Sequence, residues 1–170
     1  MGVRAAVAAL PLLLLCPSLA AAVEGESTLS VAPVFSSLTI DEDGDDVSGV
    51  GGGLVMDYGR ALSDTFWLRL AVGGAAHDGG LLNGTATLGL THTIDVLKYV
   101  PYVGLGIGVT VVGGDPIATK AKPYVELGVG LDVLQSPSWS WGLDARMSSF
   151  ASGIVLLTIG PRLSWRWGYF

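Results

Sequence analysis

The residues best equipped for chemistry are few. Asp41-Glu42-Asp43-Gly44-Asp45-Asp46 puts acids at the one-three-five spacing of a calcium loop. Position six is Asp46 and position twelve is Gly52, where such a loop needs glycine for its bend and a bidentate glutamate. The run therefore reads as a solvated acidic loop with no assigned metal. His77 and His92 lack neighbouring ligands at zinc spacing. Hydrolysis or acyl transfer needs a nucleophile activated by histidine and a carboxylate. Neither Ser63 nor Ser148 lies near a histidine in the strand order derived below, and no G-x-S-x-G elbow is present. No catalytic residue and no cofactor site is assigned.

A larger polar set emerges only when the strands that position it are read. From Tyr99 to Val133 two segments alternate: Pro101-Tyr102-Val103-Gly104-Leu105-Gly106-Ile107-Gly108-Val109 and Pro123-Tyr124-Val125-Glu126-Leu127-Gly128-Val129-Gly130-Leu131. Side chains two apart share a strand face, so each segment has one aliphatic face and one small or polar face. The same reading along the chain gives eight strands. They begin with 27–37, 50–58, 66–73 and 85–93, continue through the two segments above, and end with strands from Trp139 and Val155. The parity opposite the aliphatic face collects Asp57, Arg69, Glu126, Asp132, Asp144, Arg146, Arg162 and Arg166, four acids and four bases. Charges gathered inside a narrow barrel must pair or hold water, so a structural lumen network is the expected role.

Half of the 170 residues are hydrophobic, only 14% are charged, and 25 are glycine. That is too little charge for an ordinary soluble surface, yet the internal apolar runs are short, alternating and interrupted, unlike a membrane helix. Segments of about 9–11 residues do cross hydrocarbon as tilted strands. An even number of antiparallel strands closes without a lipid-exposed edge. The fold class expected is all-β, an eight-stranded antiparallel up-and-down transmembrane barrel. A soluble ligand-binding barrel predicts the reverse polarity, with a greasy lumen and charged exterior. With the N-terminus periplasmic, external loops are expected at 38–49, 77–84, 113–122 and 149–153, and periplasmic turns at 59–64, 94–100 and 135–138. Trp139, Trp165, Trp167 and Tyr169 would form an interfacial girdle.

Residues 1–22 read as a secretory signal: Arg4, an apolar run from Ala5 to Leu15, then Ala20-Ala21-Ala22. Cys16, the only cysteine, falls within it. Residues 23–170 then form the barrel domain, carrying eight basic against fifteen acidic residues. That balance argues against nucleic-acid binding.

The chain resembles the small bacterial outer-membrane β-barrel proteins of the OmpA-type or opacity-like transmembrane domain. The resemblance rests on the Pro101–Gly108 segment, the glycine-rich sixth strand and the terminal Phe170. It implies outer-membrane localisation after export to the periplasm and outer-membrane lipids as surroundings. It also implies Phe170 as an insertion signal for the barrel-assembly machinery, and a surface ligand met through external loops. The function expected is non-enzymatic, structural or surface-interacting; the alternatives are a minor pore or small-ligand-binding barrel and, behind these, a lipid-modifying membrane enzyme.

Overall fold

The computed structural model describes residues 25–42, 45–94, 96, 98–114, 117–150 and 153–168, without the side chains of residues 41, 42, 45, 46, 117 and 118. Residues 1–22, where a secretory signal is expected, and Phe170 lie outside the described residues. Eight strands form a closed barrel in chain order: β1 Ser27–Glu42, β2 Asp45–Ala61, β3 Phe66–His77, β4 Leu81–Thr93, β5 Tyr99–Gly114, β6 Ile117–Ser136, β7 Trp139–Ser149 and β8 Ile154–Trp167. Every neighbouring pair is antiparallel, and β1 closes onto β8. Closure gives each strand two partners, which removes the free edge that hydrocarbon would penalise.

The parity read from the sequence holds through the middle of the barrel. On β5, Val103, Leu105, Ile107 and Val109 face out, with Leu105 at 60% and Ile107 at 66% exposure, while Tyr102, Gly104 and Gly106 are buried. The same outward belt continues around the wall as Leu68, Leu70, Leu88, Leu90, Leu143 and Leu163. An apolar surface extending round the whole circumference is stable only in an apolar solvent. At the end that carries the chain termini, Trp139 and Trp165 stack at 5.2 Å and Tyr58 lies 6.4 Å from Trp167. These rings form the interfacial girdle there; Tyr169 is outside the described residues.

The strands are longer than the expected ones, and this corrects the loop assignments. β1 and β2 stay paired to Glu42↔Asp45, so 38–42 and 45–49 are ladder. β3 and β4 are joined by the three-residue turn Asp78–Gly80. β5 and β6 run through most of 113–122, with a bulge between Val112 and Gly114. Glycine and polar residues had suggested loops in all three places. At a water-exposed rim those same residue types sit on the outer face of a strand, so composition there does not separate strand from loop.

Candidate functional site

The interior has two layers. Around mid-height, Arg146 donates from Nη2 to Asp57 Oδ2 at 2.6 Å and from Nε to Asp144 Oδ1 at 2.5 Å. Asp57, Asp144 and Arg146 are all nearly inaccessible to solvent. Arg69 pairs with Glu126 and lies 3.9 Å from the other Asp57 oxygen. Tyr102 donates its hydroxyl to Asp144 Oδ2 at 2.6 Å, and the Arg162 guanidinium stacks over the Tyr102 ring at 4.9 Å. Toward the termini, Arg162 and Arg166 approach Asp132 at 3.8 and 3.9 Å. Arg162 also donates to Ser30 at 2.8 Å, and Ser30 donates to Ser164 at 2.9 Å. The structure thus brings all eight sequence-selected charges into the lumen as linked ion pairs. Such pairing is what buried charges require, since an unpaired ion in a low-dielectric interior is very unfavourable.

Glycine makes this arrangement fit. A Cβ on Gly130 would collide with the Tyr102 hydroxyl, and one on Gly108 would sit 2.6 Å from the Tyr124 ring. Each tyrosine therefore lies flat against a cross-strand glycine, which leaves its hydroxyl aimed into the network.

Above the charges lies a layer that the sequence reading missed. Leu38, Ile40, Val112, Tyr124, Phe150, Ile154 and Leu156 form a buried apolar cluster in the barrel mouth farthest from the termini. Outward neighbours at this level are mixed: Thr39, Ser48, Thr119 and Ser149 are exposed, and so are Val111, Val125 and Leu157. The inner face of the wall has changed from charged to apolar, and polar residues join the apolar ones on the outer face. Tyr124 joins the layers, with its ring 5.2 Å from Phe150 and its hydroxyl 2.5 Å from Thr87 Oγ1. The signal was present in Leu38 and Ile40, which share the inward parity of Ser30 and Ser36. Assigning 38–49 to a loop concealed it.

His77 ends β3 pointing inward and shares a 2.9 Å hydrogen bond with Ser36. This pairing was missed because the two residues lie far apart in sequence. Ser36 is fully buried, and among the described residues no carboxylate is hydrogen-bonded to His77. His92 packs at 4.8 Å against Phe66. Among the described residues no three metal-ligating side chains converge. Asp41 and Glu42 pair with Asp46 and Asp45 at the end of the β1–β2 ladder; Asp43 and Gly44 lie outside the described residues.

A closed sheet with a charged, ion-paired lumen and an apolar exterior defines a transmembrane β-barrel. Solved structures share this fold. Neisserial surface protein A superposes with a TM-score of 0.66 at 7% identity, covering 84% of this chain and 97% of that one. The N-terminal β-barrel domain of Pseudomonas aeruginosa OprF gives 0.58 at 12% identity, covering 84% and 99%. Ail, the attachment invasion locus protein of Yersinia pestis, gives 0.56 at 14% identity, covering 85% and 100%. No family model matches the sequence, and no curated protein matches it. The chain has the fold of the small bacterial outer-membrane barrels.

Proposed function

We propose that this chain is a non-enzymatic outer-membrane barrel, sealed to solutes, with a structural or surface-interaction role. The observation that carries this reading is the stack of ion-paired lumen and apolar mouth. Water-filled pores need a continuous polar path, and here the path ends at Leu38, Ile40, Phe150 and Leu156, each buried. An eight-stranded barrel has room for side chains but not for a wide channel, which favours the same conclusion over a minor pore.

Its surroundings are outer-membrane lipids, with the termini and aromatic girdle on the periplasmic side. Phe170 is the element offered to the barrel-assembly machinery. The far rim, with the β1–β2 and β5–β6 hairpins, is the part left to meet a surface ligand. Planar-bilayer recording tests the sealed lumen. The purified barrel should give no unitary conductance steps, and regular steps altered by replacing Arg146 or Glu126 would overturn it in favour of a pore.

A further inference from the structure

The closing seam of the barrel is interrupted at one place. β1 and β8 are paired from Ser27↔Trp167 to Val31↔Leu163 and again from Phe35↔Ile159 to Ile40↔Ile154. Continuing the register across the interval sets Pro33 opposite Pro161. A Cβ on Gly160 would strike the Pro33 carbonyl oxygen, so that oxygen points across the seam at β8. Opposed residues whose polar groups face each other exchange two hydrogen bonds in an antiparallel pair. Proline has no N–H, so both bonds are missing and two carbonyls confront each other without a donor between them. The four steps from Val31 to Phe35 then span about 13 Å of wall with no backbone hydrogen bond to β8 between the two end pairs. The prolines keep their other neighbours, Pro33↔Leu54 and Leu143↔Pro161, which confines the gap to this seam. It is bounded below by the Arg162–Ser30 and Ser30–Ser164 hydrogen bonds. Above it sits the apolar mouth, with Leu38, Ile40 and Ile154.

The outer side of the gap is mostly apolar, while the inner side sets Ala32 and Val34 opposite Arg162 and Gly160. Outside, a groove of about 410 Å³ runs beside it, with Phe35, Leu127, Met147 and Ile159 as walls and the small Ala145 between them. Phe35, Ile159, Ala145 and Val129 lie in one register row across four strands. Inside, Ala32, Val34 and Val55 form a separate buried apolar cluster beside Gly160.

We propose that the β1–β8 seam parts at Pro33 and Pro161 into a lateral window, through which one acyl chain of a bilayer lipid in the Ala145 groove reaches the inner Ala32–Val34–Val55 patch. The occupant is hydrocarbon because the groove is continuous with the belt that lipid bathes, between the Trp165 row and the polar rim at Thr39. The proposal rests on the bilayer placement of that belt.

The test uses the folded barrel in phosphatidylethanolamine–phosphatidylglycerol vesicles doped with a phospholipid bearing a mid-chain diazirine, with labelled residues mapped by mass spectrometry. Label is expected on the outward Phe35 and Ile159 and also on the inward Ala32 and Val34. Pro33→Val with Pro161→Val restores both donors and should reduce the inward label to background while the outward label persists. A second closure, Phe35→Cys with Ile159→Cys, joins an opposed pair whose spacing suits a disulfide. It should abolish the inward label when oxidised and restore it on reduction. Inward label absent from the wild type, or unchanged by both closures, overturns the window. Label absent even from Phe35 and Ile159 overturns the bilayer placement, and the window with it.

Discussion

Arg146→Met removes the cation that two buried carboxylates share. After the substitution Asp57 keeps only Arg69, 3.9 Å away, and Asp144 keeps only the Tyr102 hydroxyl at 2.6 Å. The lumen is left with four acids and three bases. Removing one partner of a buried pair typically costs about 3–5 kcal/mol, because the charge left behind stays desolvated. At 1.36 kcal/mol per decade, that lowers the folding equilibrium constant by roughly two to nearly four orders of magnitude. Methionine keeps most of the aliphatic volume, so little of the loss comes from a cavity. Urea unfolding in lipid vesicles, followed by tryptophan fluorescence, measures the effect. A second substitution, Asp57→Asn, separates charge from packing. It removes the stranded anion while leaving Arg69 paired with Glu126, so the double variant should recover more than half of the loss, a coupling that independent sites would not show. A cost below about 1 kcal/mol for Arg146→Met would refute the reasoning, since it would mean that these charges sit in water and behave like surface pairs.

Other perturbations probe the remaining layers. Leu105→Arg, on the lipid face, should cost about 2–4 kcal/mol at mid-depth, measured by the same unfolding titration; a much smaller effect would indicate a water-facing residue. Leu38→Ala, in the apolar mouth, should cost about 2–5 kcal/mol through the cavity it leaves. Leu38→Ser should in addition give the sealed barrel measurable conductance in planar bilayers. Gly130→Val would displace the Tyr102 ring from its glycine and break its bond to Asp144, at a cost of about 1–3 kcal/mol for overpacking. Tyr102→Phe keeps the ring in place and should cost about 1–3 kcal/mol, the penalty for a charged acceptor losing its donor.

The middle of the barrel was legible because one periodicity governs it. From Val103 to Val111 and from Val125 to Val133 every second residue is large and apolar, and period two allows only one assignment of faces. The charges from Asp57 to Arg166 followed from that parity with no knowledge of their partners. Which charge meets which was not legible: Arg146 reaches Asp57 across 89 positions, and only register and barrel curvature decide that. The mouth was hidden for a different reason. Alternation separates two faces but does not say which solvent each one meets, and at the far rim the outer solvent changes from lipid to water. Leu38 and Ile40 keep their inward parity while the lumen they face changes from charged to apolar. The gap at Pro33 and Pro161 was equally invisible in one dimension, since each proline alone is an ordinary strand residue facing lipid and only the closed register sets them face to face.

The central claim is that lipid covers the outward face of the strands and gives way to water at the far rim. Nitroxide labels placed singly at Val103, Leu105, Ile107 and Val109, and at Thr39 and Ser149 on the far rim, read this directly in vesicles through their accessibility to oxygen and to a water-soluble nickel chelate. The account predicts high oxygen and negligible nickel access at the four β5 positions, with oxygen favoured most at Leu105 and Ile107, and ready nickel access at Thr39 and Ser149. Nickel reaching Leu105 as readily as Thr39 would contradict it.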